Sequence, residues 1–397
     1  MKGFDVTINK NQKILALGPE SAGNFCVYNK GKIYYQEDLG DLIEENNFEN
    51  YKKIIFEFLE KNSFVPDIIC VDLHPEYKTS KLGEELADKY DAKLEKVQHH
   101  IAHVYSVLFD YTILASIPTL SFSKFIGIAA DGTGYGLDGK IWGGEVFLIS
   151  QNQKEKSKDK IKRIGHLENQ LLCGADLSIK EPARMLLSIL LKIKKPAEIR
   201  SIFEKFFKKE EFDLFVKMYE QKFNSVETSS TGRILDAASV LLGLCKNERN
   251  YKHEPVDLLE KKSADPFDLE PRITEKHKDR ETEEQKNTKT EKQRNREIEK
   301  QYELNISYLF EWLLDNLDKD KGRLAATVQK YVIEGLINIA KKADSNLPIY
   351  FGGGMANNKI MSQVAKNNGV IMSKNIERGD YGLSLGQMMY CLRNEKF

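Results

Sequence analysis

The chain has 397 residues, 41% of them hydrophobic and 10% aromatic, enough for two domains or for one domain of two lobes. Lysine plus arginine and aspartate plus glutamate each number 60, and that zero balance excludes a general nucleic-acid binder, which carries a basic excess. No apolar run reaches the roughly 18 residues of a membrane span and no leader-like segment opens the chain, so the expectation is a cytoplasmic protein with no membrane partner.

In chain order, residues 13–36 (KILALGPESAGNFCVYNKGKIYYQ) read as strand, Gly-rich turn, strand, turn, strand, with Lys30-Gly31 marking the second turn. A helical stretch follows from Asn47 to Asn62, then a strand at 67–73 (DIICVDL). Residues 125–149 (FIGIAADGTGYGLDGKIWGGEVFLI) repeat the opening plan: a buried strand, the Gly-rich turn DGTGYG, and a hairpin turn at Asp138-Gly139. Two such units point to an internal duplication. Residues 179–246 are mainly helical. Residues 262–303 are almost wholly charged or amide, with no apolar face, and predict a solvated helix or a disordered insertion. RLAATVQKYVIEGLINIAKKA (323–343) has helical spacing, LPIYFGGGMANN (347–358) runs from strand into glycines and a helix start, and GDYGLSLGQMMYCL (379–392) is a turn leading into a helix.

The cysteines Cys26, Cys70, Cys173, Cys245 and Cys391 lie far apart, with no CxxC pair. This excludes a cysteine zinc ribbon and predicts free, mostly buried thiols in a reducing compartment.

Three of the seven histidines crowd into VQHHIAHVYS (97–106). On a helix, His99 and His103 share one face, close enough to ligate one metal ion; the alternative is a pair of satisfied core histidines. Further ligands have to be carboxylates brought in by folding. Asp131, between a buried strand and a Gly turn, and Asp380, in Gly379-Asp380-Tyr381-Gly382, qualify, although such aspartates are commonly turn or cap residues. Two histidines with carboxylates suit iron or zinc and leave a position open. A metalloprotease is set aside, because no HExxH glutamate is present. The turns holding Gly132 and Gly134, Gly143 and Gly144, and Gly353 and Gly354 offer backbone amides to phosphate oxygens, but none matches a Walker or G-x-G-x-x-G pattern. In TGRILDAASVLLGLC (231–245), Gly232 lies in the first turn, and Asp236 suits either ribose hydroxyls or the helix dipole. CGADLSIKEPARM (173–185) gathers Asp176, Lys180, Glu181 and Arg184 around Pro182.

Taken together, ILALGPESAGNFC, CVDLHPEY, VQHHIAH, DGTGYGLDGKIWGGE, EPAR, TGRILDAASVLLG, FGGGMANN and GDYGLSLGQ resemble, in order, the C-terminal carbamoyltransferase domain of HypF, the hydrogenase-maturation protein. That domain is grouped with TsaD and TobZ in the actin/Hsp70-like (ASKHA) superfamily. The resemblance implies a two-lobed α/β nucleotide-binding fold with duplicated sheet-and-helix lobes, here an N-terminal lobe at 1–120 and a C-terminal lobe at 121–397 carrying the charged insertion. It implies transfer of a carbamoyl group from carbamoyl-adenylate to an acceptor, such as the cysteine of a HypE-like partner. The implied metal, iron or zinc, sits on His99, His103, Asp131 and Asp380. The ATP/AMP-type nucleotide, with Mg, lies by Gly132, Gly134, Gly353, Gly354 and Asn358, and its sugar by Gly232 and Asp236. The family's acylphosphatase, zinc-finger and YrdC-like domains are not found in this sequence, so a separate YrdC-like protein is the expected donor source. Ala22 stands where the family has a lysine, and Tyr251-Lys252-His253-Glu254-Pro255 where it has Tyr-Glu-Gly-Gln-Ala. These departures keep a second reading open, a nucleotide- or partner-binding module that has lost turnover.

Overall fold

In the computed structural model, which describes all residues except 7–10, 115–122, 152–157, 176, 279–298 and 395–397, the first 97 residues build one six-stranded sheet. Its strands are β1 (Lys2–Asp5), β2 (Ile14–Ala16), β3 (Phe25–Asn29), β4 (Lys32–Gln36), β5 (Ile68–Asp72) and β6 (Lys93–Val97), in the order β1-β4-β3-β2-β5-β6. Lys30 and Gly31 close the β3–β4 hairpin with φ of 45° and 82°, the left-handed pair that a tight two-residue turn requires.

The second sheet holds β7 (Lys124–Tyr135), β8 (Ile141–Gln151), β9 (Asp159–Leu167), β10 (Gln170–Cys173), β11 (Ser225–Thr228), β12 (Ile273–Lys278), β13 (Glu299–Leu304) and β14 (Ile349–Gly352). In the first sheet, β2 pairs antiparallel with β3 and parallel with β5, and β3 pairs antiparallel with β4. In the second, β7 pairs antiparallel with β8 and parallel with β14, and β8 pairs antiparallel with β9. The duplication read in the sequence is therefore a duplication of strand pairing.

The helices Glu45–Lys61 and Lys78–Tyr90 cover one face of the first sheet. Tyr51, Ile55 and Leu59, four residues apart, pack with Leu82 and Leu86 against Leu15, Val27 and Val71. The helices Pro182–Leu191, Thr231–Leu241 and Lys321–Ala343 share the largest core with β7, β8 and β14. Between the sheets lie two helices buried along nearly their whole length, His99–Phe109 and Leu383–Asn394. The first follows the first sheet but packs on β7 and β14, and the second ends the described chain but packs on β2, β3 and β5. They touch backbone to backbone: a Cβ added to Gly386 would stand 1.9 Å from the carbonyl oxygen of Ala102. Burying one Leu or Phe side chain is worth roughly 1.5–3 kcal/mol, so packing rather than propensity holds these helices.

Three expectations change. DGTGYG is not a simple turn: β7 continues to Tyr135, and the register slips between Ala130 and Gly134 as a bulge. The flanks of the charged segment form strands rather than solvated helix, with β12 antiparallel to β13 and β13 parallel to β9, while residues 279–298 lie outside the described residues. A one-sided ladder with a solvated face accepts charged residues at every second position, which removes the apolar signature of a strand. Finally, the cysteines do not all stand apart: β5 and the C-terminal helix are stacked, which brings Cys70 and Cys391 side by side with Cα atoms 7.5 Å apart, beyond the ordinary reach of a disulfide, while Cys26, Cys173 and Cys245 are free. Among the described residues, no helix is long and apolar enough to cross a membrane.

Candidate metal centre

Three local devices deliver four side chains to one point. Gln98 caps the helix that follows β6, its side-chain oxygen accepting the Ile101 N–H at 3.0 Å, so the helix starts at His99 and turns His99 and His103 to one face. The bulge in β7 sets residues 131–133 against the single residue Gly143, which lifts Asp131 out of the ladder. Asp380 lies in the one-turn helix Gly379–Gly382 ahead of the C-terminal helix; Asn24 donates to its carbonyl at 2.9 Å, and the Ser21 hydroxyl donates to its carboxylate.

The Nε2 atoms of His99 and His103 are 3.1 Å apart, and each lies 3.3 Å from Asp131 Oδ2 and 3.3 Å from Asp380 Oδ1. Ligand atoms of the four residues all lie within 4.8 Å of one another. The histidines are buried, and Asp380, with 26% of its side chain exposed, forms the open side.

These residues fit a divalent cation. Separations of 3.1–3.3 Å are those of donors held about 2 Å from a common ion, the length of a zinc–nitrogen or zinc–oxygen bond. Asp380 Oδ1 is buried and takes no hydrogen bond. The ion pairs of both carboxylates run to imidazoles. Burial works against charge on His99 and His103, yet the surrounding carboxylates outweigh it and pull both pKa values up. Burial likewise works against charge on Asp131 and Asp380, and the histidines hold both carboxyls well below the ordinary range. A metal ion would displace the protons that the cluster otherwise shares.

Around this centre lie residues that the sequence reading missed. Asp72, at the end of β5, places Oδ2 2.7 Å from His99 Nδ1. Glu145, fully buried, accepts the N–H groups of Gly143 and Gly144, both at 3.2 Å, and is paired with Arg163 and Ser229. Both are acids on otherwise apolar strands, a signal visible in CVDL and GGEVFL. His100 stays neutral: burial, and then the charge of His99, lower its pKa to about 4.

The residues expected at a nucleotide are placed unevenly. Gly354 donates its N–H to Asp131 Oδ1 at 3.2 Å, and Gly353, at φ 96°, lies against the Ala130 carbonyl, where a Cβ would approach to 2.2 Å. A Cβ on Gly232 would stand 2.9 Å from Gly132 Cα, so these two backbones meet beside Asp131, and the Ser230 hydroxyl donates to the Gly132 carbonyl. Gly134 instead seats the His100 ring, which an added Cβ would approach to 2.4 Å. Asn358 caps the helix Lys359–Asn367 and donates to Gln329 at 2.7 Å, an internal commitment. Asp236 is fully buried, with Arg233 at 2.8 Å and Arg249 at 2.5 Å on the same oxygen. Arg184 pairs with Glu181 at 2.6 Å, and Asp176 lies outside the described residues.

Residues 127–387 match the family model described as "Carbamoyltransferase, Kae1-like Domain, second subdomain", and residues 9–110 match the "HypF Kae1-like domain". The "Probable carbamoyltransferase HypF" of Methanocaldococcus jannaschii is 36% identical over 98% of this chain and 48% of its own length. The chain thus spans about half the length of that relative. The "Carbamoyltransferase HypF" of Synechocystis sp. is 32% identical over 45% of this chain and 21% of its own length. Of solved structures, T. kodakarensis HypF superposes with a TM-score of 0.80 at 26% identity, over 98% of this chain and 48% of that one. Full-length HypF in a phosphate- and nucleotide-bound form gives 0.79 at 22% identity, over 99% and 57%, a likeness of fold.

Proposed function

Because the chain belongs to the HypF carbamoyltransferase family, we propose that it transfers a carbamoyl group from carbamoyl-adenylate to an acceptor nucleophile, with iron or zinc held by His99, His103, Asp131 and Asp380. The observation that carries this reading is the convergence of two imidazole nitrogens and two carboxylate oxygens in a buried pocket open on the Asp380 side. When bound, a divalent metal supplies Lewis acidity toward a carbamoyl oxygen on which negative charge develops.

The protein's own part is placement. The glycine seam of Gly132, Gly232, Gly353 and Gly354 brings backbone, without side chains, beside the ligands, which suits the phosphate of an adenylate. Asp380, as the exposed ligand, marks the side from which an acceptor enters. The acceptor, a cysteine thiol in a HypE-like partner, forms a bond to the carbamoyl carbon. The bond from that carbon to the phosphate oxygen breaks, AMP leaves with the electron pair, and the thiol proton passes to solvent. The adenylate comes from a YrdC-like partner.

Elemental analysis of wild type and His99→Ala, beside a carbamoyl-adenylate turnover assay, tests this. The expected result is about one iron or zinc per chain in wild type, the number a single four-ligand site takes, with metal and turnover both lost in the variant. A wild type purified anaerobically without metal, and inert toward carbamoyl-adenylate, overturns it.

One observation favours a second reading, a nucleotide- or partner-binding module without turnover: Asp236 is already held by two arginines, and Ala22 occupies the lysine position of the family's first turn. ATP affinity with metal bound but no transfer would select it.

A further inference from the structure

His99 divides its two ring nitrogens between two neighbourhoods. Nε2 faces His103, Asp131 and Asp380, while Nδ1 faces Asp72 Oδ2 at 2.7 Å. Asp72 is only 1% exposed. Its other oxygen accepts the His74 N–H at 2.9 Å, and its carbonyl accepts the Ser80 hydroxyl at 3.1 Å, so the residue is held from two sides. The backbone fixes the pair as well: Asp72 is the register partner of Val97 in the β5–β6 ladder, two residues before His99.

We propose that Asp72 is a positioning residue of the centre, which holds His99 with a proton on Nδ1 and so presents the Nε2 lone pair to a metal. The proposal rests on reading His99, His103, Asp131 and Asp380 as metal ligands. A carboxylate behind an imidazole fixes the ring's tautomer and orientation and raises its basicity toward the ion; losing such a partner typically weakens metal binding 10–100-fold. The competing account makes Asp72–His99 a buried pair that only ties β5 to the helix. That account predicts a loss of stability with no loss of metal affinity.

The test titrates metal-free wild type, Asp72→Asn and Asp72→Leu with Zn2+, and follows the His99 ring proton on Nδ1 by 15N-edited NMR in histidine-labelled protein. The expected result is a zinc dissociation constant weakened 10–100-fold in Asp72→Leu and by less in Asp72→Asn, whose amide oxygen still accepts the proton. Wild type should show a downfield, exchange-protected Nδ1 proton that Asp72→Leu lacks. Should Asp72→Leu not fold, Asp72→Asn decides through the same two readouts. Zinc affinity within threefold of wild type in the folded variants, or a wild-type His99 whose Nδ1 carries no proton, overturns the proposal while leaving the metal centre standing. A wild type that takes up no zinc overturns the metal reading, and the proposal with it.

Discussion

His99 Nε2 and His103 Nε2 face each other at 3.1 Å inside the protein. Two ring nitrogens at that distance share one proton or one ion, and the two flanking carboxylates match the charge of a divalent ion.

Removing the metal should lower stability, because an ion that binds only the folded state stabilises it by mass action. A chelator is expected to lower the melting temperature of wild type by several degrees, about 3 kcal/mol for a site held at a hundredfold excess over its dissociation constant. His103→Ala should melt at the same temperature with and without chelator. An equal response in both proteins would contradict the assignment.

Gly386→Ala should damage the centre from a distance. Its added methyl would collide with the Ala102 carbonyl at 1.9 Å, forcing apart the helices that carry His99, His103 and the segment after Asp380. Overpacking of this kind costs about 1–3 kcal/mol. The expected outcome in a denaturant titration is a loss of that size, together with reduced zinc uptake by a protein that keeps all four ligands.

The two histidines could be paired from the sequence because i, i+4 spacing survives any packing. Asp131 and Asp380 could be nominated as turn aspartates but singled out as ligands only through resemblance, since a bulge and a one-turn helix leave no periodic trace. Asp72 ends a run of buried residues that reads as strand, and nothing local says which atom it meets. β12 and β13 escaped because a charged ladder has no apolar alternation, and Cys70 and Cys391 stand 321 residues apart.

Asp236→Ala should be among the costlier substitutions outside the centre. It leaves Arg233 and Arg249, whose side chains are 9% and 8% exposed, without their shared carboxylate. Breaking a buried pair from one side costs about 3–5 kcal/mol. Urea unfolding of Asp236→Ala beside Arg249→Ala checks this, with the second expected to lose less because Arg233 still neutralises Asp236.

Acid should act through Glu145. Burial opposes its ionisation, but Arg163 and then His166 outweigh it and hold its pKa at about 2 against an ordinary 4.5. A folded pKa below the unfolded one means that the stabilisation is complete above about pH 4.5 and disappears as pH falls through 2, at most about 3 kcal/mol in all. Glu145→Gln should flatten the melting-temperature profile between pH 5 and pH 3; an unchanged profile would assign the acid sensitivity elsewhere.

Residues 279–298 should be dispensable for stability, whereas the strands beside them should not be. Lys278 and Glu299 are register partners, so a short hairpin turn can join them. Replacing 279–298 with such a turn is expected to leave the melting temperature within about 1 °C, roughly what a 1 kcal/mol change produces in a chain of this size. Deleting 273–304 removes the β13–β9 ladder and should lower it clearly.

The crossing of the two central helices has a consequence for biosynthesis. On a growing chain, His99, His103 and Asp131 emerge together, but Asp380 follows 249 residues after Asp131 (380 minus 131). The strands of the first sheet are complete by Val97, but β7, which carries Asp131, meets its partner β14 only at residues 349–352, and β2, β3 and β5 meet the C-terminal helix later still. A metal held by all four residues would therefore need a chain made past Asp380, and any truncation ahead of that residue should abolish uptake even where both histidines are present.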